Sequence, residues 1–108
     1  MHNNLVRTVI ETPMFLRYAN EVWSEEERFA FVDFIAAHPE AGDVIPSAAP
    51  LRKVRWSRDG MGKRGGVRVI YFTTAADGTV TLLIVYPKSR TDNLSAAFLR
   101  ALRQLIKE

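Results

Sequence analysis

The sequence predicts an α+β fold: a mostly antiparallel four-stranded sheet with helices packed largely on one face, in the order β-α-α-β-β-β-α. Three observations predict it. Two helical segments with recognisable N-terminal caps crowd the first half, three β-rich runs with glycine-bearing connections follow, and Leu and Phe then recur at helical spacing. At 108 residues, 47% of them hydrophobic, the chain suits one domain over residues 1–108 with its own core, and is too short for two of ordinary size.

Leu5–Ile10 (LVRTVI) is rich in β-branched residues and reads as the first strand. Thr12-Pro13 ends it and opens a helix, with Thr as cap and Pro at the first helical position, running to Asn20 or a little beyond. Ser24-Glu25-Glu26-Glu27 is a capping box whose three acids suit the positive end of the helix dipole. Phe29, Val32 and Ala36 recur at helical spacing beside Phe31, Phe34 and Ile35, and His38-Pro39 stops this second helix near Ala37. Glu40–Pro50 reads as a surface loop with Val44 and Ile45 tucked in. Strands are expected at Leu51–Trp56, Val67–Thr74 and Thr79–Tyr86, the last two joined through Ala75-Ala76-Asp77-Gly78 and ended by Pro87. Ser95 or Asn93 caps a final helix in which Leu94, Phe98, Leu102 and Leu105 fall on one stripe.

Composition narrows the chemistry. Without Cys there are no disulfides, thiolate zinc ligands or cysteine nucleophiles, which fits a reducing compartment, with cytoplasm as the expected location. His2 and His38 are the only histidines, and the acids of the second half (Asp59, Asp77, Asp92, Glu108) are scattered, so neither a paired-histidine nuclease nor a carboxylate metal centre is expected, and no cofactor. No apolar run approaches the ~20 residues of a membrane span. The start, MHNNLVRTVIETP, lacks a signal-peptide pattern, so no membrane partner is expected.

Charge is sharply segregated. Residues 1–50 carry three basic and eight acidic side chains, and residues 51–108 carry twelve and four. Seven of the fifteen Lys/Arg fall within the 21 residues Leu51 to Tyr71, against a single acid, Asp59. That density, on folded strands rather than a tail, points to a polyanion such as a nucleic-acid backbone. Alternation puts Val54 and Trp56 on one face of their strand and Lys53 and Arg55 on the other. Arg68 sits between Val67 and Val69 in an apolar strand, where a charge needs a partner or a purpose. Gly60-Met61-Gly62-Lys63-Arg64-Gly65 matches GxGxxG literally, but a strand follows it instead of the helix a dinucleotide site requires; a basic strand connection is the better reading. Trp56, Tyr71, Phe72 and Tyr86 interleave with the cations; most read as core, with Tyr71 and Tyr86 the candidates for stacking on bases. Arg100, Arg103 and Lys107 complement the negative end of the last helix.

The run LRKVRW, then GKRGGVRVIY, then LLIVYPK before a Leu-rich helix resembles the RelE/HigB superfamily of toxins from bacterial toxin–antitoxin modules, nearest the HigB-like branch. The resemblance spans nearly the whole chain in element order and is most specific over LRKVRW…GKRGGVRVIYF. It implies a RelE-like, microbial RNase-like fold and an mRNA interferase that cuts message in the ribosomal A site. Carried over by position, Lys53, Arg55, Arg68 and Lys88 form the catalytic set; beside them, Arg52, Arg58, Lys63, Arg64, Tyr71, Tyr86 and Arg90 are the expected RNA or ribosome contacts. Several relatives place a tyrosine in or near the C-terminal helix, and this helix has none. The implied partners are a cognate antitoxin, HigA-like with a helix-turn-helix domain, the ribosome and its mRNA, and operator DNA through the antitoxin. ParE-type relatives on the same fold poison DNA gyrase, and a noncatalytic nucleic-acid-binding module is the other alternative.

Metal-free cleavage proceeds by attack of the ribose 2′-oxygen on phosphorus, leaving a 2′,3′-cyclic phosphate and a 5′-hydroxyl. Arg68 is assigned to the phosphorane, since a guanidinium stays cationic and grips phosphate oxygens bidentately. Lys53, crowded by cations that ease loss of its proton, is assigned as base, and Lys88 or Arg90 assists the leaving oxygen.

Overall fold

The computed structural model of the chain describes residues 7–57, 66–88 and 94–106. Its elements are β1 (Val9–Glu11), α1 (Pro13–Val22), α2 (Glu25–Ala37), β2 (Asp43–Val44), a 3₁₀ turn (Pro46–Ala48), β3 (Arg52–Trp56), β4 (Val67–Thr73), β5 (Val80–Pro87) and α3 (Ala96–Arg103). The strands form one sheet in the order β1-β5-β4-β3-β2, in which β1 runs parallel to β5 and every other pair is antiparallel. The α+β class and element order are those expected. The sheet has five strands rather than four, because Asp43–Val44, expected within a loop, pairs with Arg52 and Lys53.

The helix starts form as their local signals dictate. Thr12 Oγ1 accepts from the Phe15 N–H (3.1 Å) and donates to the Leu82 carbonyl (2.8 Å), so one hydroxyl caps α1 and ties it to β5. Ser24 and Glu27 complete the capping box reciprocally. Arg28 pairs with Glu11, fastening α2 to the edge strand β1.

The two faces of the sheet carry separate clusters. On one, Phe15, Ala19 and Trp23, followed by Phe31 and Ile35 of α2, bury against Val54, Val67, Val69, Tyr71, Val80, Leu82 and Val85. Trp23 stacks on Phe31 at 5.4 Å between centroids, and Trp56 packs against Phe31 and Phe34. On the other, Leu102 of α3 closes over Leu51, Ile70, Phe72, Leu83, Ile84 and Tyr86. A bulge separates the two patterns in β5: Tyr71 pairs with Leu82, yet the next residue back, Ile70, pairs with Ile84.

Three details differ from the sequence reading. Val44 is exposed, because the two-residue β2 sits at the sheet edge, and only Ile45 turns inward, its N–H donating to the Leu51 carbonyl at 2.8 Å. Phe29 lies on the outer side of α2 beneath the Arg28 guanidinium. Leu105 falls beyond the end of α3 and is half exposed. Among the described residues, no helix is long and apolar enough to cross a membrane.

Candidate active site

Strand β3 alternates as expected: Val54 and Trp56 enter the aromatic core, and Lys53 and Arg55 line a groove on the opposite face. Register then decides their neighbours. Arg55 lies directly opposite Arg68, and Arg68 directly opposite Tyr86, so these three residues form one row across three strands. Directly opposed residues of an antiparallel pair share a face, with Cβ atoms roughly 5 Å apart. One step along that face, Lys53 is opposite Ile70 in β4 and opposite Asp43 in β2.

The groove is about 890 Å³. Its floor is Lys53, Arg55, Arg68, Ile70 and Tyr86; one wall is Asp43 to Ser47, and the other is Leu94, Ala96 and Leu99 at the start of α3. Ser95 Oγ accepts from the Phe98 N–H (3.0 Å), capping α3 so that its first turn begins at the groove rim. The opposite wall is held by two contacts at Gly42, the first of which requires glycine. Gly42 lies so close to β3 and β4 that a Cβ there would sit 2.9 Å from the Lys53 carbonyl oxygen and 3.0 Å from the Tyr71 ring. Its carbonyl also accepts from Arg52 Nη1 at 2.6 Å.

Electrostatically the floor gathers positive charge. Arg68 is only 8% exposed and faces a second guanidinium across the ladder. Like charges in directly opposed positions are destabilising, and a partly desolvated cation adds to that cost. A bound phosphodiester offsets both, because guanidinium groups grip phosphate oxygens with charge-assisted, bidentate hydrogen bonds. Tyr86, 2% exposed, completes the row with a phenol able to donate or accept a proton. The acids of α2, Glu25 to Glu27, belong to the helical layer on the other side of the sheet, so the charge asymmetry of the sequence becomes an asymmetry between faces.

The structure thus brings together Lys53, Arg55, Arg68 and Tyr86. Lys88 is exposed and stands apart from the groove lining; it lies in the turn after β5, where its N–H donates to the Gly66 carbonyl (3.3 Å). Two expectations are corrected. Tyr71 is fully buried on the α1/α2 face, where its hydroxyl donates to the Pro39 carbonyl (2.8 Å) and accepts from the Gly42 N–H (2.9 Å), so it cannot stack on a base. Burial pushes its phenol above the ordinary 10.0, moderated by the Gly42 hydrogen bond and by Arg52. Arg52 projects away from Lys53 and Arg55 and holds the Gly42 carbonyl instead of RNA. Arg58, Lys63, Arg64 and Arg90 lie outside the described residues. Sequence reasoning missed the walls, Asp43 and Ser47 on one side and Leu94 and Leu99 on the other, as groove-lining residues. Among the described residues, no group of three or more His, Cys, Asp or Glu could hold a metal ion.

Comparison with solved structures gives the architecture a class. The chain superposes on a mutant of the E. coli toxin RelE in the free state with a TM-score of 0.62 at 13% identity, covering 94% of this chain and 99% of that one. The isolated E. coli RelE toxin in another crystal form gives 0.50 at 14% identity, over 93% and 99%. The RelBE2 toxin–antitoxin complex of Mycobacterium tuberculosis gives 0.49 at 20% identity, over 81% and 97%. No protein-family model matches the sequence. The fold of this chain is the RelE toxin fold.

Proposed function

We propose that this chain is the toxin of a RelE-type toxin–antitoxin module, of the HigB-like branch, and that it is a metal-independent endoribonuclease cutting mRNA in the ribosomal A site. The observation that carries the reading is the row Arg55–Arg68–Tyr86 beside Lys53, on the floor of an open groove in a RelE fold. Cleavage must manage the proton leaving the 2′-hydroxyl, the doubly charged phosphorane and the departing 5′-oxygen. Arg68, deepest of the cations, stabilises the phosphorane, and Arg55 shares its charge. Lys53 takes the 2′-proton. Tyr86 stands at the far side of Arg68 from Arg55, in the position to hand a proton to the leaving oxygen, with Lys88 and Arg90 neutralising the strand that departs.

This set contains no histidine, so the ribosome supplies what the side chains lack, by bending the message into line for attack. The cations of residues 58–64 dock the ribosome. A cognate antitoxin neutralises the basic face in the cytoplasm of the resting cell and, through a helix-turn-helix domain, binds the operator of the pair.

The test is a translation reaction scored for mRNA cleavage with and without ribosomes. Codon-phased cuts only when ribosomes are present are the expected result. Equal cutting of naked RNA would overturn ribosome dependence. Salt-sensitive binding with no scission would favour a noncatalytic binding module, and DNA-damage signalling without mRNA cuts would favour a gyrase inhibitor.

A further inference from the structure

The groove has one feature that phosphate chemistry does not use. Its β2 wall carries a carboxylate, Asp43, in direct register with Lys53 and therefore on the same face as the cationic floor. Asp43 is exposed and makes no ion pair among the described residues, whose two ion pairs both involve Arg28. Beyond Val44, whose register with Arg52 turns its side chain to the other face, the wall continues through Ile45 and Pro46 and ends at the hydroxyl of Ser47. An anion at this place repels phosphate, so an RNA strand whose backbone follows the arginines must turn something else towards the wall. The remaining part of a nucleotide is its base. Unstacked bases are read by apolar contact on their faces and hydrogen bonds on their edges.

We propose that the Asp43–Ser47 wall is a base-recognition subsite selecting guanine, a reading that rests on the nuclease function above. A carboxylate is acceptor-only and takes two parallel donors best. Guanine alone places two N–H donors, N1–H and the N2 amino group, side by side on its Watson–Crick edge. Cytosine and adenine put a ring-nitrogen acceptor next to their amino group, and uracil flanks its single N–H with carbonyls, so each of these meets the carboxylate with a repulsive neighbour. Ile45 and Pro46 supply the apolar surface for the ring face, and Ser47, which can donate or accept, serves the outer edge of the base. The position of the carboxylate is fixed by the β2–β3 ladder and by the glycine contact behind it, so the subsite is preformed.

The test has two arms. In the first, 3′-GMP, 3′-AMP, 3′-CMP and 3′-UMP are titrated into the intact protein and followed by backbone NMR; in the second, four messages differing only in the base at the cut are compared in the translation reaction. Tighter binding of 3′-GMP on the order of ten-fold, with shifts at Asp43 to Ser47, and faster cutting of the guanine message are expected. Both preferences should disappear in Asp43→Asn, a change at an exposed position that leaves volume unaltered. Equal affinity for the four nucleotides, or a guanine preference that survives Asp43→Asn, overturns the subsite while leaving the nuclease reading intact. Guanine-selective binding with no cutting of any message sustains the subsite and overturns the nuclease.

Discussion

Arg55 and Arg68 are direct partners in the β3–β4 ladder, two guanidinium groups opposed on one face of the sheet, with Arg68 the more deeply set. A fold that needed these positions only for stability would place an acid or an apolar residue at one of them.

Arg68→Ala removes the charge closest to the reacting phosphorus in the proposed mechanism. The saturated single-turnover cleavage rate is expected to fall by ~10²–10³, as for loss of an oxyanion donor, with ribosome affinity nearly unchanged. Lys63→Ala and Arg64→Ala, in the glycine run outside the described residues, should instead weaken ribosome binding and flatten its salt dependence with little effect on that rate. Single-turnover kinetics at saturating ribosomes separate the two. An Arg68→Ala variant impaired only in affinity would refute the division between floor and loop.

Tyr71→Phe deletes a donor to the Pro39 carbonyl and an acceptor for the Gly42 N–H, both behind the groove wall. A loss of about 1–3 kcal/mol is expected from the unsatisfied partners, read as a lower urea midpoint at unchanged m-value. Cleavage well below the melting temperature should persist. Reduced activity at undiminished stability would instead implicate the phenol hydroxyl directly in the reaction.

The same phenol sets an alkaline limb. Its pKa in the folded chain is raised above the ordinary 10.0, chiefly by burial, so the folded state retains this proton after the unfolded state has lost it. The contribution is fully present below pH about 10 and is lost as pH rises through the folded value. Stability measured across this range should therefore decline more steeply in the parent chain than in Tyr71→Phe, and parallel curves would contradict the assignment.

Gly42→Ala tests how tightly the β2 wall is seated. The added methyl meets the Lys53 carbonyl oxygen at 2.9 Å, and backbone cannot rotate aside as a long side chain would. Displacement of β2 should cost about 1–3 kcal/mol and, by moving Asp43 relative to the floor, should erode any base preference. Thermal melts and the four-message comparison report the two effects separately, and an unaltered melt would show that the wall yields freely.

The helices were legible because their signals are local: Thr12-Pro13 and Ser24 to Glu27 specify caps within four residues, whatever the rest of the chain does. The basic face was legible because strict alternation in β3 fixes Lys53 and Arg55 on one side. The same alternation could have excluded Arg52 from that side, and it could have excluded Tyr71 too, three residues from Arg68 in an unbroken strand. What could not be read was the wall. Strand β2 is two residues long, and its place depends on Gly42 packing against β3 and on Ile45 turning back to Leu51, contacts that no periodicity announces. Fold similarity was anticipated from the motif run LRKVRW…GKRGGVRVIYF, even though identity to the superposed E. coli toxin is only 13%.

The irregularity between Ile70 and Tyr71 acts as a phase switch for the chemistry. On the Leu82 side of it, odd-numbered and even-numbered residues of β5 have one assignment of faces; past Leu83 they exchange it, and this exchange delivers a phenol rather than an isopropyl group beneath Arg68. Were Leu83 paired with Ile70 in a regular ladder, Val85 would fall opposite Arg68 and Tyr86 would turn into the aromatic core, changing the reactive inventory without altering a single reactive residue. Reactivity here is therefore encoded partly in an irregularity of the ladder, at a residue that reacts with nothing, which a substitution scan confined to the groove floor would never detect.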